Sequence, residues 1–98
     1  MKIHPQIFQT NPDVVFQTLE GEAVLLHLKT EEYYTLDETG TRMWQLLIEH
    51  SEKEPVIAQM LAEYEVDEAT LRNDLTRLIA DCKAAGLLAV GGQSLDPP

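Results

Sequence analysis

The chain has 98 residues, 44% of them hydrophobic, with 7 Lys+Arg against 17 Asp+Glu and a formal net charge of −10. That length suits one domain with one modest core and little room for an enclosed substrate cavity, and the acidic balance disfavours nucleic acid and anionic membrane while favouring cationic or neutral partners. The single cysteine excludes an internal disulfide and fits a reducing compartment; with no membrane-length apolar run and no signal-peptide pattern, a soluble cytoplasmic protein is expected.

Residues 1–13, with Pro5 and Pro12 and little periodicity, read as an irregular lead-in. Val14 to Leu19 suits a strand, and Glu20-Gly21 is a tight-turn signal. From Glu22 to Lys29 the run Ala23 to Leu26 is wholly apolar, which predicts a central strand buried on most of both faces. A polar connection through Glu32 leads to a third strand at Tyr33 to Leu36. The connections are too short for crossovers, so the strands should form an antiparallel meander.

The third strand runs without a loop into a helix. Asp37 offers a capping carboxylate and Glu38 a first-turn negative charge, and Met43, Trp44, Leu47 and Ile48 follow at helical spacing to His50. A second helix should start near Pro55 and bury Val56, Ile57, Met60, Leu61 and Tyr64. A third, capped by Asp67, should run to Ala85 and stop at Gly86, with a stripe of Leu71, Leu75, Leu78 and Cys82 and with Ile79 at its margin. Residues 91–98 read as a flexible tail, leaving a single domain over 14–90. The implied fold is α+β and winged helix-turn-helix-like: a three-stranded antiparallel sheet followed by three helices.

No catalytic constellation is evident. Cys82 lies on an apolar helix face, where a thiol acts as a small hydrophobe. His4, His27 and His50 are far apart and lack His or Cys neighbours at ligand spacing, and the glycines stand at turns and ends. Neither an enzyme nor a metal or cofactor site is expected. A DNA-binding reading would place Arg72, Asn73, Thr76 and Arg77 at base edges, but the same helix carries Asp74 and Asp81 and opens with Asp67-Glu68. Peptide binding suits the charge better. An edge strand at Tyr33–Leu36 could accept an extended peptide, with the third helix as the opposite wall. On the residues alone, this strand reads equally as a docking rail or as an idle edge whose tyrosines merely cover the sheet. A structural subunit whose groove is filled by its own tail or by a second copy also remains open.

The motifs Glu20-Gly21 with Ala23 to Leu28, Tyr33-Tyr34-Thr35-Leu36-Asp37-Glu38-Thr39-Gly40 with Trp44, and Asp74-Leu75 through Leu78 to Gly86-Leu87-Leu88 resemble the PqqD-like proteins, the leader-peptide-binding RiPP recognition elements. Two departures are visible. Asp37 replaces a frequent asparagine, and Thr30-Glu31-Glu32 lacks the usual hairpin glycine. The resemblance implies a non-catalytic peptide chaperone that binds the leader of a ribosomally made precursor and delivers it to modifying enzymes. It implies leader pairing with Tyr33, Tyr34, Thr35 and Leu36, an apolar wall of Leu71, Leu75, Leu78, Ile79 and Cys82, and polar contacts from Arg72 and Asp74. Val24, Leu26 and Leu28 would line either the groove or the core. The implied partners are a leader peptidase and cyclase of lasso-peptide assembly, towards which the strand-two and tyrosine segments lean, or a radical enzyme of PQQ-type cofactor synthesis. No cofactor is implied on this chain.

Overall fold

A computed structural model describes residues 7–91, in the order β1 (Ile7–Thr10), β2 (Val14–Leu19), β3 (Glu22–His27), β4 (Tyr33–Leu36), α1 (Glu38–His50), α2 (Lys53–Glu63), α3 (Glu68–Ala84) and β5 (Leu88–Gly91). Glu20 at φ 53° and Gly21 at φ 82° both occupy the left-handed region. Two consecutive residues of that kind make the turn that matches strand twist, so β2 and β3 close as a tight hairpin. The β3–β4 connection also needs a positive φ, and Glu31 supplies it at 63° without a glycine.

The three-stranded antiparallel sheet has the order β2-β3-β4, with Phe16 opposite Leu25 and Leu25 opposite Tyr34. Helices cover one face only. Burial along β3 therefore alternates, with Ala23, Leu25 and His27 inside and Val24 40% exposed on the other face. A strand buried on both faces, expected from the apolar run, is not what forms. Val15, Leu26 and Tyr33 share that outer face, because Leu26 stands opposite both Val15 and Tyr33.

The expected lead-in contains a strand. β1 pairs antiparallel with β5, Ile7 opposite Gly91 and Thr10 opposite Leu88, and Phe8 is buried in the core. The Phe8 amide donates to the Ser51 carbonyl, and the Asn11 side-chain amide donates to the Gly86 carbonyl at 2.7 Å. Four residues with a single buried side chain gave no readable period. The folded body thus extends beyond 14–90 at both ends, while residues 1–6 and 92–98 of the expected lead-in and tail lie outside the described residues.

The helices follow the expected order. α1 has the anticipated bounds; α2 begins two residues before Pro55, which sits in the first turn where its missing amide costs nothing. Val56, Ile57 and Met60 are buried, whereas Tyr64 is the C-cap and exposed. α3 is capped by the Asp67 carboxylate, which accepts the Thr70 amide at 3.1 Å. Its buried stripe is Leu71, Leu75, Ile79 and Cys82. Leu78 and Ile79 exchange their expected places, since the β1 and α2 side of the helix covers Ile79 beside Phe8 and leaves Leu78 half-buried. Trp44 lies at the centre, with the Phe16 ring edge-on to it at 5.7 Å. Among the described residues, no helix is long and apolar enough to cross a membrane.

Candidate peptide-binding groove

The site is built on the corner where β4 becomes α1. The Asp37 carboxylate accepts the Gly40 amide at 2.8 Å, closing the first helical turn. A Cβ at Gly40 would stand 3.1 Å from that carboxylate oxygen, so the tight cap favours glycine. One turn on, the buried Thr41 hydroxyl accepts the Ala23 amide at 2.8 Å and donates to the Leu36 carbonyl at 3.2 Å. β3, the end of β4 and the start of α1 are thereby locked together. Among the described residues β4 pairs only with β3, so its second edge is open.

Along that open edge runs a hollow of about 280 Å³, lined by Tyr34, Thr35 and Leu36 on one wall and by Leu78, Asp81, Cys82, Ala85 and Leu87 on the other. Backbone edge and aliphatic wall face each other as strand addition requires. Burial pushes the Cys82 thiol up to about 11, with the Asp81 carboxylate adding to the shift. It is therefore a protonated, apolar lining group at neutral pH. The Tyr34 hydroxyl donates to Glu32 at 3.1 Å; desolvation first, and then this bond and the Glu32 charge, raise its pKa.

Of the residues expected at the site, the structure gathers Tyr34, Thr35, Leu36, Leu78 and Cys82 around this hollow. Leu71 and Asp74 line a second depression farther along α3. Tyr33 is 70% exposed on the outer sheet face, and its side chain is not part of the hollow. Leu75 is fully buried in the core, and Ile79 faces the β1 side. Neither forms part of the groove wall, because a helix stripe of i, i+4 residues faces the body of the protein and the groove meets only its flank. Val24 and Leu26 lie on the outer face, one strand away from the open edge, and Leu28 is exposed just beyond β3.

Arg72 does not face the groove either. Its guanidinium pairs with Glu54 at 2.9 Å and with Glu68 at 2.9 Å. These carboxylates, Glu54 foremost, raise its pKa further. The same pairing neutralises the arginine that a DNA-reading helix would have offered to phosphate. His27 accepts the Lys29 amide at Nδ1, as a satisfied structural histidine would. Among the described residues, no group of three or more His, Cys, Asp or Glu could hold a metal ion.

Asp37, Thr39, Gly40, Met43, Arg77 and Asp81 line a neighbouring depression, and none of them is a peptide contact expected from the sequence. Asp81 was within reach of the sequence, since it and Cys82 lie one turn beyond Leu78. The α1 residues carried no such signal, because their role depends on how α1 crosses α3.

The sequence model of the family described as coenzyme PQQ synthesis protein D (PqqD) matches residues 22–88. Among solved structures, the chain is similar to TbiB1 in complex with the TbiA(beta) leader peptide, with 36% identity, a TM-score of 0.78, and coverage of 82% of this chain and 93% of that one. It also shares its fold with a lasso peptide synthetase B1 complexed with the leader peptide, at 24% identity, a TM-score of 0.77, and coverage of 84% of this chain and 96% of that one. No match was found among curated proteins.

Proposed function

The chain belongs to the PqqD family, and from that premise we propose that it is a non-catalytic chaperone for the leader of a ribosomally synthesised precursor peptide. The leader adds as a strand to the open edge of β4, against α3, and is carried to modifying enzymes. The observation that carries this reading is the hollow between Tyr34–Leu36 and the Leu78, Cys82, Ala85 and Leu87 wall, in a chain 36% identical to a protein seen with a leader peptide. Unpaired β4 amides and carbonyls supply affinity independent of side chains, and the apolar wall supplies selection. A net charge of −10 draws cationic peptides.

The pathway we assign is lasso-peptide assembly, with a leader peptidase and a cyclase as the enzymes served. That choice over PQQ-type synthesis rests on the strand-two segment Ala23 to Leu28 and the tyrosine segment Tyr33 to Gly40, which lean towards the lasso type. The test is a titration of the isotope-labelled chain with the synthetic leader of the precursor encoded beside its gene. Amide resonances of Tyr33–Leu36 should move, with submicromolar to micromolar affinity. Shifts confined to the Arg72–Arg77 face, and seen only with duplex DNA, would replace this reading with a regulator.

A further inference from the structure

The hollow beside β4 does not end at Leu36. Leu78 and Asp81 are shared with a second depression of about 420 Å³, between the first turn of α1 and the middle of α3. Its lining includes Asp37, Asp74 and Asp81 against the lone cation of Arg77. Thr39, Met43 and Asp74 are shared in turn with a third depression of about 220 Å³. Met43, Met60, Tyr64, Val66 and Leu71 make that last one mainly apolar, with Glu65 also in its lining. The three form one track along α3 from Ala85 back to Leu71.

We infer that this track is a selectivity extension of the peptide site: it takes a leader that carries a Lys or Arg between two apolar anchors, with the cation in the depression bordered by Asp37, Asp74 and Asp81. The inference rests on the strand-addition reading and adds to it a ligand chemistry. Two arguments fix the occupant. The track shares lining residues with the β4 hollow, so a peptide leaving β4 past Leu36 enters it without turning away. Its middle carries three carboxylates and one guanidinium, which complements a basic side chain and disfavours an acidic one. Fourteen helical residues rise about 21 Å, which an extended peptide crosses in about six residues. The basic residue therefore falls about two to three positions beyond the first anchor, and the second anchor about three positions farther on.

The probe is a phage-displayed library of random peptides of about 14 residues, long enough to pair with β4 and cross the track. It is panned on the full chain, and enriched peptides are resynthesised. Enrichment of Lys or Arg flanked by apolar residues at that spacing is expected. The double variant Asp74→Asn/Asp81→Asn, which changes charge but hardly shape, should weaken the selected peptides by roughly tenfold and abolish the basic preference on repanning. Tyr64→Ala should relax selection at the far apolar position only. Peptides that shift the Tyr33–Leu36 amides yet bind both variants as tightly as the parent would overturn the extension and leave strand addition standing. Peptides that bind without moving those amides would overturn both.

Discussion

The Thr41 hydroxyl accepts the buried Ala23 amide at 2.8 Å while donating to the Leu36 carbonyl at 3.2 Å. One side chain of α1 thus satisfies a donor on β3 and an acceptor on the last residue of β4. Thr41→Val keeps the shape and removes both bonds. The Ala23 amide is then buried without a partner, which costs about 1–3 kcal/mol. Urea unfolding should show this loss, and hydrogen exchange at Leu36 and Ala23 should quicken relative to the rest of the sheet. Peptide affinity should fall as well, since the rail is no longer held at its end.

A second consequence concerns acid. The Arg42 guanidinium donates to Glu63 through Nε at 2.8 Å and again through Nη2, joining α1 to α2. This pairing first, with a bond from Gln59, holds the Glu63 carboxyl at about 2, against an ordinary value of 4.5. Because the folded value is the lower one, the unfolded chain binds more protons between these limits. The contribution is complete above about pH 4.5 and is lost as pH falls towards 2. Both groups touch solvent, so the effect is small and screened by salt. Arg42→Met should flatten the pH dependence of unfolding in that window and leave its slope above pH 5 to 6 unchanged, to about the precision of the measurement.

Cys82 provides a reporter of occupancy. The thiol is buried and pushed up to about 11, so the reactive thiolate is scarce at neutral pH. Labelling by a disulfide reagent should be slow in the native chain and fast in urea. A bound peptide should slow it further, because Cys82 lines the β4 hollow. Rapid labelling unaffected by peptide would place the peptide elsewhere.

Much of this architecture was legible from residue order. Asp37, Asp67 and Gly86 punctuate the chain with side chains or conformations that helix ends favour. Gly86, at φ 76°, also lies so close to His27 that a Cβ would come within 3.2 Å of the ring. The β1–β5 ribbon was not legible, because its four-residue strands pair across nearly the whole chain and depend on tertiary contact rather than on local pattern. The groove was legible as a pair of elements but not residue by residue. Apolar spacing identifies the stripe of α3 that faces the core, and the wall of the β4 hollow is the flank of that stripe. Leu75 was therefore drawn into the site by the same regularity that buries it, while Asp81 and Ala85, on the flank, stood outside the pattern.

That distinction separates Leu75 from Leu78 experimentally. Leu75 is 0% exposed, so Leu75→Arg forces an unpaired cation into the core and should leave the chain unfolded. Even Leu75→Ala should cost about 2–5 kcal/mol. Leu78 is half-buried and borders both the β4 hollow and the acidic depression. An arginine there can extend its charge to solvent while its stem fills the wall, so the fold should persist with a small loss in stability. Peptide binding should nevertheless fall sharply, because the side chain occupies the hollow and its charge repels a basic leader. Circular dichroism melts and peptide titrations on the two variants read the difference directly. A Leu78→Arg chain that stays folded and binds its leader at parental affinity would place the peptide away from the α3 flank.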